Sequence, residues 1–358
     1  MTATQKVPFA EQLLARLPAT PDVYAQKVDF VRGAVLLLQF DAAAYRSASF
    51  LDDRVLGPTT KGGWAGLDAV AAAAQRVQAG RPLHFIFHTG HVGSTLLSRL
   101  LEEAGGVLAL REPLPLRSLA EAQDVLGQPE SLLSDQQFAG ALDLFLRLWS
   151  RGYEATRAVV VKATSSTGRL APLLLGRQAG SRAVYLNLRA EPYLATLLAG
   201  ANSPLDLRGH GPLRIRRLQA RTAVPLQPLH ALSLGELAAM SWLSETCCQH
   251  DALRLCPGRV LAVDFDALLG EVAPQLGRVL AHFGLPADAD LLARLARSPV
   301  LGQYSKAPEH AYTPALRADT LRESRRVNAA EIARGLAYLE RIAAADAALA
   351  SAMAATTS

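Results

Sequence analysis

Residues 88–97 read His88-Thr89-Gly90-His91-Val92-Gly93-Ser94-Thr95-Leu96-Leu97, a composition suited to holding an anion. Two glycines let the backbone turn tightly, so the amides of Gly90, His91, Val92 and Gly93 can point at one centre. Ser94 and Thr95 then open a segment patterned as a helix, and the positive end of a helix also favours phosphate. The turn of nucleotide triphosphatases has four residues between its glycines and a Lys-Ser/Thr after them. Here two residues separate Gly90 from Gly93 and no lysine follows, which argues against magnesium-ATP hydrolysis.

The cations are distributed unevenly by type. Only five of the 37 basic residues are lysines: Lys6, Lys27, Lys61, Lys162 and Lys306. Lys162 ends the run Ala158-Val159-Val160-Val161, and a lysine at the end of a buried strand is costly without an anionic partner. The net charge of +5 points to anionic ligands, but the arginines are spread along the chain with no lysine-rich block or basic tail. That pattern argues against a nucleic-acid partner. Cys247, Cys248 and Cys256 have no metal-ligand spacing, so no metal is expected and a reducing cytoplasm fits best. The first residues lack an apolar core of signal-peptide length, and no uncharged apolar stretch of about 18 residues occurs. The expectation is a cytoplasmic protein with no membrane partner.

These residues need elements to hold them. Half the residues are hydrophobic and 19% are charged, as in a folded enzyme rather than a disordered chain. Residues 1–80 read as an N-terminal extension packing on the main domain, with a strand at Ala34–Phe40 and a helix from Leu67 to Val77. Residues 81–358 read as the main domain. In it, strands at Leu83–His88, Ala158–Val161, Ala183–Leu188 and Val260–Asp264 alternate with helices, including Thr95–Glu103 and Leu234–Arg254. Apolar runs each followed by a helix predict an α/β, three-layer P-loop fold with a central parallel sheet and helices on both faces. Ligands of such sheets sit at the carboxyl ends of the strands. The stretch from Pro204 to Pro228, rich in Pro, Gly and Arg, is expected to be a loop or lid.

The turn has a specific likeness. His91-Val92-Gly93-Ser94-Thr95-Leu96-Leu97 resembles the Lys/Arg-Ser-Gly-Thr-Thr-Leu-Leu donor loop of sulfotransferases that use 3′-phosphoadenosine 5′-phosphosulfate. The similarity runs discontinuously from about residue 83 to 286 and identifies the chain as a bacterial-type member of that superfamily. It implies that Gly90, His91, Val92, Gly93, Ser94 and Thr95 bind the donor, without a metal, and that His91 takes the place of the loop's cation. Protein-tyrosine sulfotransferases carry a general-base glutamate at a position that Glu112 resembles; the bland reading of this stretch is a surface salt bridge through Arg111.

Lys162-Ala163-Thr164 resembles the Lys-Thr-His of cytosolic sulfotransferases, whose lysine lies near the bridging oxygen and whose histidine is the base. Thr164 cannot be that base, which moves the role to Glu112 or puts catalysis in doubt. Leu188-Arg189-Ala190-Glu191-Pro192 resembles the family's Arg-Asp/Asn-Pro element and implies that Arg189 binds the 3′-phosphate, a contact a guanidinium makes bidentately. The family's following serine is replaced by Leu197, with Thr196 the nearest hydroxyl; helix capping explains Glu191-Pro192 equally well. Val263-Asp264-Phe265-Asp266 resembles an architectural landmark. Gln303 to Lys306 and Arg317 to Arg326 either close over the 3′-phosphate or, for the arginines, form a solvated basic helix.

The expected reaction is sulfonate transfer to a hydroxyl or amine, with Lys162 and His91 neutralising charge and Glu112 removing the acceptor's proton. The competing readings are a P-loop small-molecule kinase and a non-catalytic nucleotide-binding or interaction protein of the same fold. Neither the acceptor nor the oligomeric state is legible in the sequence.

Overall fold

A computed structural model describes residues 9–78, 80–304 and 312–355. Its described residues group into two compact units: Met1–Ile86 with Leu97–Arg182, and Phe87–Leu96 with Ala183–Ser358. Among the described residues no helix is long and apolar enough to cross a membrane.

In the first unit, β1 (Val23–Asp29), β2 (Ala34–Gln39) and β3 (Gly62–Gly66) form an antiparallel sheet in that order. Val35 of β2 lies between Val28 and Ala65 in the register. The strand expected at Ala34–Phe40 is therefore the central one of three. Its neighbours escaped notice because β1 carries polar Gln26 and Lys27 and β3 is largely glycine and alanine.

The other sheet is parallel and five-stranded, in the order β5–β6–β4–β7–β8. Its strands are β4 (Leu83–His88), β5 (Val107–Arg111), β6 (Ala158–Lys162), β7 (Ala183–Asn187) and β8 (Val260–Asp264). Every residue of β4 to β7 is buried, as expected of strands covered on both faces. β8, at the edge, is only partly buried. The α/β reading holds, with one strand more than the four expected. Val107–Arg111 is short, follows Gly105-Gly106, and ends in a charged residue that suggested a surface loop.

Two buried guanidiniums fasten the first unit. Arg111, fully buried at the end of β5, donates to the Tyr45 and Ala48 carbonyls at 3.0 and 2.9 Å and to Ser98 Oγ at 3.0 Å, and pairs with Glu102. The surface salt bridge considered for Arg111 is thus an interior one. Arg151 donates to the carbonyls of Leu17, Thr20 and Val23 at 2.7–2.9 Å. Leu51 N–H adds a bond to Arg111 O at 2.7 Å, so the segment Ser49–Val55 lies across the carboxyl end of β5 like a strap.

The stretch expected as a loop or lid is mostly the helix Ser203–Gln219, with irregular chain confined to residues 220–228. Pro204 sits in the first turn, where its missing amide would have had no intrahelical partner. Pro212, inside the helix, is exposed, so the carbonyl it leaves unpaired can turn to water. The long helix Leu234–Leu255 is started by a capping box between Ser233 and Glu236.

Candidate functional site

The second unit contains the glycine turn. β4 ends at His88, and the chain passes through positive φ at Gly90 (101°), His91 (54°) and Gly93 (68°) before the helix Ser94–Glu103 begins. His91 and Gly93 are left-handed and flank Val92, which is not, an alternation that turns successive amides toward one side to receive an anion, while the amide of Gly90 is taken by His88. His91 is exposed and occupies the left-handed region, which histidine tolerates better than most residues. Val92 is buried and anchors the turn.

Its neighbours fix the turn's shape. Gly90 N–H donates to His88 Nδ1 at 3.1 Å, Thr89 N–H donates to Leu186 O at 3.1 Å, and Tyr193 Oη donates to Thr89 O at 3.2 Å. Phe265 lies directly against Gly93: a Cβ there would come within 2.0 Å of the ring. Arg317 holds the ring in turn, 5.0 Å from its centroid and 2.8 Å from Asp266. Phe265 and Arg317 thus pack at the turn, an architectural role for Phe265, whereas Arg322, Arg325 and Arg326 of the same helix are exposed. Arg189, also in this unit, is exposed and stands as the N-cap residue of the helix Ala190–Leu198. Its carbonyl accepts from Tyr193 N–H at 3.1 Å, but its guanidinium donates no hydrogen bond among the described residues, whereas Glu191 is held by Arg325 through two bonds of 2.8 Å. Those bonds keep Glu191's carboxyl below its ordinary range. Thr196's hydroxyl donates to Pro192 O at 2.7 Å. Lys306 lies outside the described residues.

The first unit contains Glu112 and Lys162, and brings them together. Arg111 and Lys162 are opposite each other at the ends of β5 and β6. Glu112 follows immediately in the left-handed region (φ 55°), a conformation costly for glutamate that turns its side chain back over the sheet end. Its carboxylate pairs with Lys162 Nζ and accepts from Thr164 Oγ1 at 3.3 Å. Lys162 is fully buried and Glu112 is 9% exposed.

The ammonium has three donors, yet among the described residues only Glu112 accepts from it. Burial pushes the Lys162 ammonium down from its ordinary value; Glu112 pulls it back up, and Arg54 and Arg111 push it down further. The net direction is down.

The strap supplies three residues that the sequence did not flag. Phe50's ring centroid lies 5.7 Å from Lys162 Nζ, and Arg54's guanidinium stacks on the same ring at 3.3 Å. Asp52 grips Arg54 with bonds of 2.8 and 2.6 Å. Burial alone would raise Asp52's carboxyl; the bonds from Arg54 outweigh it and leave the group below its usual range, with Glu112 opposing. A cluster of two acids and two bases around one ring is therefore assembled from residues 50–54 and from two strand ends. Only the charges of Asp52-Asp53-Arg54 hinted at it, and nothing in the sequence linked them to Glu112.

Among the described residues no group of three or more His, Cys, Asp or Glu could hold a metal ion. No protein-family model matches the sequence, and no curated protein matches it. Solved structures do: the sulfotransferase STF9 from Mycobacterium avium (11% identity, TM-score 0.39, 91% of this chain and 98% of that one). Another is the sulfotransferase domain from the curacin biosynthetic pathway (14%, 0.37, 65% and 84%). A third is mouse sulfotransferase SULT7A1 complexed with PAP (11%, 0.34, 74% and 92%).

Proposed function

We propose that this chain transfers a sulfonate group from 3′-phosphoadenosine 5′-phosphosulfate to a hydroxyl or amine acceptor. The observation that carries the reading is the buried Lys162–Glu112 pair at the ends of adjacent parallel strands. A glycine turn before a helix would serve any phosphate ligand; a dry ammonium with unused donors beside a carboxylate offers both charges that group transfer needs. In the transfer, the acceptor's oxygen or nitrogen forms a bond to sulfur as the bond from sulfur to the bridging oxygen breaks. The acceptor's proton goes to Glu112, and the negative charge growing on the leaving bisphosphate is met by Lys162, His91 and the turn amides. Gly90 to Thr95, Arg189, Thr196 and Lys306 are assigned to donor binding.

The test is thermal stability with adenosine 3′,5′-bisphosphate against ATP with magnesium. The reading expects magnesium-independent stabilisation by the bisphosphate, of about 2.7 kcal/mol at a hundredfold excess over Kd. Stabilisation by magnesium-ATP alone would move the chain to the kinases. Bisphosphate binding without turnover of any acceptor panel would leave a nucleotide-binding protein.

A further inference from the structure

The Lys162–Glu112 pair is dry at the end of a sheet that must also admit a substrate, so something has to exclude water from it. Thr164, Ser165 and Ser166, which follow β6, are only half-buried and polar. Beside the ammonium lies the ring of Phe50, itself half-buried, which belongs to the strap Ser49–Val55, far away in sequence.

We propose that Phe50 is a positioning residue of the transfer site: its ring closes the Lys162–Glu112 pair from water, and Arg54 and Asp52 hold the ring in place. The inference rests on the functional reading only for what the pair is used for.

Three observations carry it. The strap cannot drift, because Leu51 N–H donates to Arg111 O at 2.7 Å and Tyr24 Oη donates to Leu51 O at 2.9 Å. The ring cannot turn freely, because Arg54 stacks on it at 3.3 Å and is itself gripped by Asp52 through two bonds. A ring face also suits an ammonium that has lost its hydration, since the attraction is strongest when the cation is desolvated. The charged groups facing Lys162 are Glu112 and Arg111 from the end of β5 and Arg54 from the strap, with Asp52 behind Arg54. Of the strap's residues, Phe50 is the uncharged one beside the ammonium, so its removal changes access to water without changing the charge count.

With only five lysines, the chain suits competitive acetylation by trace acetic anhydride, read for each lysine by mass spectrometry across pH 6 to 11. Such a profile separates a lysine's titration midpoint from its accessibility. In the wild type Lys162 should react at least tenfold more slowly at its plateau than Lys27, whose side chain is 40% exposed. In Phe50→Ala the Lys162 plateau should rise at least tenfold and its midpoint should move up, because water now solvates the ammonium. Lys27 and Lys61 should not change. Phe50→Trp, which keeps a ring, should retain both protection and midpoint, and Phe50→Leu gives the milder comparison if the alanine variant melts too low.

Lys162 profiles of Phe50→Ala or Phe50→Leu that superimpose on the wild type would overturn the proposal. So would equal loss of protection in the leucine and tryptophan variants. Bisphosphate stabilisation of the wild type, measured alongside, tests the functional reading separately, since the labelling requires no donor.

Discussion

Glu112 and Lys162 are tied twice: the amide of Glu112 donates to the carbonyl of Lys162 at 2.6 Å, and the carboxylate of the same glutamate pairs with the lysine's ammonium. The backbone bond extends the pairing of β5 with β6 one residue past the strand. Glu112 leaves extended geometry there, at a positive φ.

Removing one member of such a pair should cost far more than removing both. Glu112→Gln leaves the buried ammonium without its counter-charge and should lower unfolding free energy by about 3–5 kcal/mol at pH 7. Glu112→Gln combined with Lys162→Met should recover most of that loss. Urea unfolding of the two variants and the wild type measures the difference; a single variant as stable as the wild type would mean that Lys162 is not held dry by Glu112.

The lowered Lys162 value has a signed consequence. Between that value and about 10.5 the unfolded chain binds a proton that the folded chain has released, so folding stability rises with pH across that window. The wild type should therefore gain on the double variant as pH increases toward 10.5. A constant difference between their stabilities from pH 8 to 10.5 would contradict burial of the charge.

Arg189 is exposed and its guanidinium donates no hydrogen bond among the described residues, so the side chain can serve a ligand without loss to the fold. Arg189→Ala should weaken binding of adenosine 3′,5′-bisphosphate by about 1.5–3 kcal/mol, the range for a charge-assisted hydrogen bond. Calorimetry with unchanged affinity would remove Arg189 from the donor site.

Much of this was legible beforehand, and the limits have physical causes. β4, β6 and β7 announced themselves because fully buried parallel strands are mostly apolar, and β8, partly exposed at the sheet edge, is apolar up to Asp264. β5 did not, since Arg111 looked solvated until its buried acceptors were seen. The helix Ser203–Gln219 was hidden by prolines whose cost depends on position in the turn, which composition does not encode. The glycine turn was readable as a contiguous motif. The Phe50–Arg54 stack was not, because it depends on a strap meeting strand ends 57 to 112 residues away, and no local pattern records such a meeting.

Gly93 tests whether the turn's geometry is as tight as it appears. An alanine there must hold φ near 68° and place a methyl group within 2.0 Å of Phe265. The left-handed backbone alone costs about 1–2 kcal/mol. Gly93→Ala should lower the melting temperature and abolish bisphosphate stabilisation, and Phe265→Ala in the same chain should not restore it. Normal binding by Gly93→Ala would show that the turn does not bind the donor in this conformation.

Where a lysine or arginine would stay cationic at every physiological pH, this chain presents the imidazole of His91. The helix end disfavours its imidazolium and a bound polyanion favours it; full phosphate charges outweigh a half-charge dipole at similar distance. Bisphosphate affinity should fall as pH rises above about 7, and His91→Arg should flatten that dependence. Measured from pH 6 to 9 at fixed ionic strength, identical profiles would make His91 a structural turn residue.

Arg111 and Arg151 also decide how the chain can be cut. Their guanidiniums draw on carbonyls of residues 17, 20, 23, 45 and 48, all upstream of the first parallel strand. A fragment beginning at residue 81 would keep both cations and lose those five acceptors. The opening eighty residues are therefore no detachable appendage. Expression trimming, gene fusion or exchange of that segment for a foreign one has to give those two buried cations other acceptors in place of the five carbonyls.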